Sequence, residues 1–233
     1  MFKQFGADST VEVFDKLHHS GLLVARSGQL DALVALEQIG ARRSFTRDDE
    51  IYAEGDRADC WYKVASGTVR ICKLMADGRR HIAEFFFAGE CFGLDDQGDR
   101  LFSAEAIGDV TVMRFTRAAT QRLIEKNSEL ARHICNMTLR SLAHAQSRML
   151  LLGRMTAAER VASFLLELAE RRDVRRSLDV PMSRNDIADY LGLTIETVCR
   201  VLSTFKRDGA IAVPNPHRIE LCDRDALEAV VEA

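Results

Sequence analysis

The chain has 233 residues, 47% of them hydrophobic and 29% charged, and its 32 Lys and Arg residues against 35 Asp and Glu give a formal net charge of −3. This composition is ordinary for a soluble globular protein, and the charge balance excludes a strongly basic chain that holds DNA non-specifically. The N-terminus lacks the pattern of a signal peptide, and no apolar run reaches the roughly eighteen residues of a membrane span, so a cytoplasmic location is expected.

Six cysteines are spread along the chain without a CxxC pair or zinc-finger spacing. In a cytosolic protein of this size they are expected to be reduced thiols, most of them small core residues. The pattern predicts no metal site and no cofactor. The cysteines are Cys60, Cys72, Cys91, Cys135, Cys199 and Cys222.

Residues 1–116 are predicted to form an N-terminal segment and a sensor-like β domain. Glycines recur at intervals of 12, 11 and 11 residues, at Gly55, Gly67, Gly78 and Gly89. Short apolar segments lie between them, at Trp61–Ala65, Val69–Leu74 and Ile82–Phe87. Evenly spaced short strands with turn glycines, including the hairpin signal Asp77-Gly78, predict a rolled barrel or jelly roll.

Residues 117–152 are predicted to form one long dimerisation helix, since the stretch has no proline and no glycine. Its apolar residues recur every seven positions, which gives a seam able to pack against a second copy. The alternative is that this seam packs on its own barrel. The seam residues are Leu123, Leu130, Ile134, Met137, His144 and Leu151. A hinge is expected at Gly153, followed by a helix over Ala157–Glu170 that Thr156 caps.

Residues 153–233 are predicted to form a winged helix-turn-helix domain. With Arg184 as position one, Ala188 at position five allows two helices to cross closely. Gly192 at position nine suits a turn with positive φ, and Val198 at position fifteen points into the core. The remaining inward positions carry apolar residues at helical spacing, namely Ile187, Leu191, Leu193 and Leu202.

The ends of this motif carry capping and turn signals. Ser183 can cap the first helix, with Asp186 three residues on, and Thr194 can cap the second. Two short predicted strands, Ala210–Val213 and Arg218–Cys222, flank an Asn-Pro turn and form the wing.

The second helix carries one polar stripe, formed by Glu196, Cys199, Arg200, Ser203 and Arg207. An α-helix fits the DNA major groove, where Glu196 can accept a hydrogen bond from cytosine N4 and Arg200 can donate to guanine O6 and N7. The alternative is a solvated face with a Glu–Arg pair. Within a complete helix-turn-helix pattern, base reading is favoured.

The charge of the last eighty residues gives little support for DNA binding, since this part contains twelve Arg and Lys residues and fourteen Asp and Glu residues. Binding must therefore depend on base contacts, a local patch and two copies acting together. Two-fold symmetric regulators place their reading helices about one DNA turn apart, so a homodimer is expected. Candidate phosphate contacts are Arg184, Thr194, Thr197, Ser203, Lys206, Arg207 and His217.

Five motifs make the chain resemble the Crp/Fnr superfamily of bacterial transcription regulators, from roughly residue 42 to 221. Four lie in the β domain: EGDxA at Glu54–Ala58, YxVxSGxV at Tyr62–Val69, DGR at Asp77–Arg79 and GExFGL at Gly89–Leu94. The fifth is SRNDIADYLGLTIETVCR at Ser183–Arg200. The resemblance implies an α+β protein with a cyclic-nucleotide-binding-like roll, a dimerisation helix and a winged helix-turn-helix.

The resemblance also implies how promoters are read. The E-x-x-S-R reading motif maps onto Glu196, Cys199 and Arg200, with cysteine in place of the usual serine. It implies an inverted repeat of TTGAT-like half-sites, with Arg200 on guanine and Glu196 on the paired cytosine. The partners implied are double-stranded DNA, a second copy of the chain and RNA polymerase.

The sensor chemistry implied is that of the FixK-type branch, whose members lack an iron–sulfur cluster and activate genes of oxygen-limited metabolism. The N-terminal cysteines that hold the cluster of Fnr have no counterpart, since the first cysteine is Cys60. The Arg-Ser pair that holds cyclic AMP is incomplete, since Arg100 is followed by Leu101, and Glu105 would repel a phosphate.

Cys199 lies near a helix start and beside Arg200, a setting that favours the reactive thiolate. Its oxidation would place negative charge against DNA phosphates, so redox inactivation at Cys199 is one hypothesis, and a plain replacement of serine is the other.

Three other functions are weighed against activation by FixK-type control. A regulator of the same fold could depend on a cyclic nucleotide, or sense gas through haem held by Cys72 and His81. A cupin-like metalloenzyme needs two or three histidines, but residues 40–116 contain only His81. No catalytic arrangement stands out, so the chain is not expected to be an enzyme.

Overall fold

The computed structural model describes residues 36–94 and 98–232. Six antiparallel strands form the N-terminal sheet, in the order β1-β6-β3-β4, with β2 paired to β6 and β5 paired to β3. The predicted rolled β domain is thereby confirmed. The strands are β1 Ala41–Phe45, β2 Glu50–Tyr52, β3 Cys60–Leu74, β4 Arg80–Phe87, β5 Cys91–Phe92 and β6 Ser103–Thr116.

Strand β3 joins two segments that the sequence predicts as separate strands. Gly67 lies between them with φ of 87°, and the β3–β6 register shifts between Val64 and Ser66 and again between Ser66 and Thr68. A Cβ at Gly67 would lie 2.4 Å from the backbone oxygen of Asp109, so only glycine fits this close approach. Gly67 therefore marks a bulge within a long strand instead of a turn between two short ones.

After the N-terminal sheet the chain forms six helices and a second sheet of three strands, in the order β7-β9-β8. The helices are α1 Arg117–Ile124, α2 Ser128–Arg154, α3 Ala157–Arg171, α4 Arg184–Leu191, α5 Ile195–Arg207 and α6 Arg224–Glu232. The added strands are β7 Ser177–Asp179, β8 Ile211–Asn215 and β9 Arg218–Leu221. The predicted wing corresponds to β8 and β9, while β7 and α6 are additions that the sequence reading missed.

The single long helix predicted over 117–152 is wrong in two places. It is broken between Ile124 and Ser128, where the Asn127 side chain accepts hydrogen bonds from the backbone N–H groups of Glu129 and Leu130 at 3.0 and 3.2 Å. At its other end α2 runs through Gly153, so the predicted break at Gly153 is wrong and the helix ends only at Arg154, with two residues between it and α3. There Thr156 forms a capping box with Glu159, which confirms the predicted helix start.

Four of the six residues of the predicted dimer seam contact their own chain, as the alternative interpretation of the seam expects. Leu130 is 1% exposed and packs with Trp61 and Phe115, with Leu123 and Ile134 partly buried beside them. His144 lies between two carboxylates of its own chain. Met137 is half-buried, and Leu151 lies outside the described side chains.

A different face of α2 carries the exposed apolar residues, which we call the outer stripe: Cys135, Leu139, Leu142 and Met149. Their spacings of three, four or seven residues follow a heptad, like the predicted seam but in a different phase. A seven-residue repeat alone does not indicate which of the two stripes faces the roll. In the structure Leu130 packs against the roll, so the stripe that contains Leu130 faces it.

The roll and the C-terminal part share one hydrophobic cluster. Ile82, Phe85 and Phe87 of β4 join buried residues of α3, α4 and α5 in it. The ring of Phe85 lies 4.9 Å from that of Tyr190 in α4. None of the helices in the described ranges combines the length and apolar character that a bilayer crossing needs.

Candidate nucleic-acid interface

The helix-turn-helix forms as its spacing predicts. Ala188 is 2% exposed where α4 meets α5, and Gly192 adopts a left-handed conformation with φ of 63°. The Gly192 N–H donates to the Ala188 carbonyl, which closes α4. Val198 is fully buried, so α5 is fixed against the core by its inner face.

Side-chain caps fix where both helices begin. Ser183 accepts from the Asp186 N–H, and the Asp186 carboxylate accepts from the Ser183 N–H at 2.9 Å, which makes a complete capping box on α4. Thr194 accepts from the Thr197 N–H at 3.3 Å and caps α5. These caps satisfy N–H groups that otherwise have no intrahelical partner.

Helix α5 is strongly two-sided. Val198, Leu202 and Phe205 are buried on its inner face. The predicted polar stripe is exposed on the opposite face, and we call it the recognition face: Glu196, Cys199, Arg200, Ser203 and Arg207. A capped helix thus presents these side chains to solvent on one face.

The charged groups of Glu196 and Arg200 turn to different partners instead of forming the i,i+4 pair. The backbone N–H of Glu196 and the Thr194 hydroxyl lower the pKa of the Glu196 carboxyl, so it is ionised at neutral pH. Arg200 donates to the Thr197 hydroxyl at 3.4 Å. Both groups are exposed, which leaves them accessible to base edges.

Cys199 is exposed on the recognition face. Ser203 turns back to its own helix and donates to the Cys199 carbonyl at 2.8 Å. Arg184 is half-buried near Cys199, burial lowers its pKa, and its buried Nη1 atom has no hydrogen-bond partner among the described residues. Of the other cysteines, Cys135 and Cys222 are also exposed, so fewer are core residues than predicted.

The remaining predicted phosphate contacts are divided between two places. Lys206 is exposed at the end of α5, and Arg207 there pairs with Asp208 at 3.0 Å. His217 lies at the wing turn, in an open cleft that Arg47 and Arg80 of the roll also line. The structure therefore groups His217 with the roll and not with the recognition face.

The roll uses both charged residues considered for nucleotide binding, Arg100 and Glu105, in contacts of its own. Arg100 is 3% exposed, donates to the Gly93 carbonyl at 2.9 Å and to the Cys60 carbonyl, and lies 4.2 Å from the Tyr52 ring centroid. Glu105 accepts from Arg70 at 2.7 Å. Both side chains are therefore committed to contacts within the protein.

The residues considered for haem do not converge. Cys72 is opposite Ile82 in the β3–β4 register, and His81 is opposite Lys73, so Cys72 and His81 occupy adjacent positions whose side chains alternate between the faces. Cys72 lies beside Glu105 and is buried, which raises its pKa to about 12, whereas His81 contacts the Asp189 backbone.

Ion pairs between the roll and α4 are the features that sequence reasoning missed. Arg70 and Arg80 of the roll reach Asp186, and Arg80 also reaches Asp189. The partners lie 106 to 116 residues apart in the chain, so no local pattern could pair them.

Comparison with known proteins supports both halves of the architecture. The family model for the cyclic nucleotide-binding domain matches residues 42–127, and that for the Crp-like helix-turn-helix domain matches residues 159–230. The nitrogen fixation regulation protein FixK of Bradyrhizobium diazoefficiens is 42% identical over 210 residues, which cover 88% of this chain and 88% of that protein. The transcriptional activatory protein AadR of Rhodopseudomonas palustris is 35% identical over 201 residues, covering 84% of each.

The solved structure of FixK2 from Bradyrhizobium japonicum superimposes with a TM-score of 0.80 at 41% identity, and covers 84% of this chain and 98% of that one. The relatives are transcription regulators, and the second helix of the helix-turn-helix presents an exposed polar face. The chain is a DNA-binding transcription regulator and not an enzyme, and it belongs to the Crp/Fnr family.

Proposed function

We propose that the protein is a homodimeric transcription activator that recognises an inverted repeat of TTGAT-like half-sites. It acts in the cytoplasm at promoters of oxygen-limited metabolism genes, with RNA polymerase as its further partner. The observation that carries this proposal is the recognition face of α5, where an ionised carboxylate and a guanidinium stand one turn apart and exposed.

Base reading follows from the chemistry of those two groups. The guanidinium of Arg200 carries N–H donors spaced to match O6 and N7 of one guanine, and the Glu196 carboxylate accepts from N4 of a cytosine. One helical turn separates the two residues, which allows them to reach one G·C pair or two neighbouring pairs, and the family resemblance favours a single pair. Cys199 is exposed on the same face, and its side chain is of a size to contact a thymine methyl.

Replacing Arg200 by alanine is expected to weaken binding by about 1–3 kcal/mol and to remove the preference for guanine at its position. Both effects are measured by titrating the wild-type protein and the variant against duplexes selected from random DNA. Lys206→Ala is the matched control, because Lys206 is also a cation of α5 but lies outside the recognition face. Lys206→Ala should weaken binding to all DNA sequences by the same factor. Equal guanine preference in wild type and Arg200→Ala would exclude the proposed reading.

The outer stripe of α2 supports the homodimer. Leu139, Leu142 and Met149 are 56%, 54% and 74% exposed, which is unusual for large apolar side chains at heptad spacing. Two copies packed along this face would bury them and place two recognition helices symmetrically.

Control without a bound nucleotide is the second part of the proposal. The guanidinium of Arg100 would have to leave two carbonyl oxygens and the Tyr52 ring before it could hold a phosphate. The rings of Tyr52, Tyr62 and Phe92 stack with centroids 5.1 to 6.1 Å apart in the same part of the roll. These contacts favour a protein whose activity follows its concentration.

Oxidation at Cys199 is the third part. The thiolate sulfur attacks one oxygen of hydrogen peroxide, the O–O bond breaks, and sulfenic acid forms as hydroxide leaves. Further peroxide gives a sulfinate, whose charge would oppose the DNA phosphates. The exposed position of Cys199 on the recognition face allows this attack.

Peroxide is therefore expected to lower operator affinity by about tenfold, equivalent to ~1.4 kcal/mol. The same treatment of Cys199→Ser, which keeps the size but lacks the sulfur, should leave its affinity unchanged. Affinities are measured by titration before and after oxidation, with the modified residue identified by mass spectrometry. An equal loss in both proteins would assign the effect to another residue.

A further inference from the structure

The two oxygens of the Asp186 carboxylate have different partners. Oδ2 accepts from the backbone N–H and hydroxyl of Ser183 and so caps α4. Oδ1 lies 3.3 Å from Arg70 Nη1 and 2.5 Å from Arg80 Nη2, both of which belong to the roll. Asp186 therefore has two functions. Its carboxylate completes the capping box of α4, and it also binds the two arginines of the roll.

This contact is part of a larger ionic cluster, which we call the clasp: Arg70, Arg80, Asp186 and Asp189. Arg80 donates through Nε to Asp189 at 2.9 Å, so it bridges two carboxylates on successive turns of α4. Arg70 is anchored on the roll side by Glu105 and Asp48, at 2.7 and 2.9 Å.

Because charged groups of the clasp are buried, the clasp is stable in only one orientation of α4 relative to the roll. Asp186 is 4% exposed and Arg70 is 8% exposed. A buried charge that loses its partner is strongly unfavourable, so these groups are stable only in the orientation that pairs them. A surface pair, in contrast, would tolerate rotation of α4 at little cost.

The C-terminal end of α4 is held by a second contact. Arg148 of α2 donates to the Tyr190 carbonyl at 2.9 Å and to the Ala83 carbonyl of β4, and its guanidinium stacks 3.7 Å from the Tyr190 ring centroid. With Asp186 held at one end and Tyr190 at the other, α4 has two fixed points. It cannot turn against the roll unless one of them breaks.

We infer that Arg70 and Arg80 are positioning residues for DNA binding, because the clasp fixes the recognition helix relative to the roll and so sets the separation of two such helices in the dimer. Helix α5 follows α4 through Ala188 and Gly192, so its orientation is inherited from α4. This inference rests on the proposed homodimeric function. Neither arginine touches DNA in this scheme.

The inference predicts a split between two affinities. Binding to a single half-site depends on the contacts that one helix-turn-helix makes with DNA. Binding to two half-sites also depends on whether both helices are held at the matching distance, since the second contact is then intramolecular. Loosening the clasp should affect only the second quantity.

The test compares Arg80→Met with Arg79→Met. Arg79 is the neighbouring arginine, its side chain is 83% exposed and it pairs with Asp77 within its own turn. Affinities of the full-length proteins are measured on duplexes with one half-site and with two half-sites whose spacer is lengthened or shortened by single base pairs. Thermal unfolding verifies that each variant is folded. If Arg80→Met is not folded, Asp189→Asn replaces it, and Asp186 is left intact because it caps α4.

Arg80→Met should bind one half-site as the wild type does, lose about tenfold on the optimal inverted repeat and tolerate altered spacers better. Arg79→Met should match the wild type throughout. A folded Arg80→Met protein with wild-type affinity and spacer preference would overturn the inference alone. A wild-type protein without preference for any inverted repeat would overturn the proposed function together with it.

Discussion

Replacing Leu142 by lysine should convert the protein to a monomer and lower its affinity for an inverted repeat by on the order of 100-fold, because the second half-site is then no longer bound intramolecularly. Leu142 lies near the middle of the outer stripe and is 54% exposed in the single chain. A lysine there would have to be desolvated opposite its own symmetry mate, which disfavours association.

Ser141→Lys is the matched control, since Ser141 is the preceding residue of α2, is exposed and lies outside the stripe. Sedimentation measures the oligomeric state, and titration measures affinity for one and two half-sites. We expect Ser141→Lys to remain dimeric. Leu142→Lys should keep the wild-type affinity for a single half-site and lose affinity only for the inverted repeat. A dimeric Leu142→Lys protein would place the interface on another surface.

The parts of the fold that could be predicted are those that neighbouring residues determine. Ala188, Gly192 and Val198 lie within eleven positions of each other, and each requirement of the turn is met by one residue type at one position. The caps at Ser183 and Thr156 are equally local. The helix-turn-helix could therefore be located to the residue without knowledge of tertiary contacts.

The break before α2 was missed although a signal for it was present. Asn127 followed by Ser128 and Glu129 is a typical helix start, and the Asn127 side chain indeed caps α2. The heptad pattern crossed this break because Leu123 and Leu130 both pack beside Trp61, one from each helix. The heptad periodicity indicates which residues lie on the same face. It does not show that all of them belong to one continuous helix.

The face that α2 presents to a partner could not be predicted, since it depends on what the opposite face packs against. The same applies to the clasp. Arg70 and Asp186 are each ordinary polar residues in their own segments, and only the docking of α4 on β3 and β4 brings them together. The recognition face was predictable and its orientation was not.

His144 should make the stability of the protein depend on pH in a direction opposite to that of most buried carboxylates. Its Nε2 lies 2.7 Å from Glu167 and its Nδ1 2.8 Å from Glu84. Hydrogen bonds to Glu167 and Glu84 raise its pKa to about 10, against the effect of burial. Arg171 also reaches both carboxylates, so the cluster ties α2, α3 and β4 together.

Replacing His144 by glutamine should cost about 3 kcal/mol of unfolding free energy at pH 6.5, at the lower end for a buried ion pair because the side chain is 31% exposed. The folded-state pKa lies above the unfolded value of 6.5, so the stabilisation is complete below pH 6.5 and is lost as the pH rises towards 10. Urea unfolding of both proteins across this range measures the difference, which should shrink steadily.

His133→Gln on the same helix provides the control. Burial, together with Arg140 and Lys63, lowers the pKa of His133, so this histidine is neutral above pH 6.5. Its replacement should shift stability by the same amount at every pH from about 7.5 to 10, where the unfolded imidazole is neutral as well. If the gap between the wild type and His144→Gln were also constant over that range, the imidazole of His144 could not be charged in the folded protein. Glu84 and Glu167 would then depend on Arg171 for their neutralisation, and α2 would be held to the roll by its apolar contacts and Arg148.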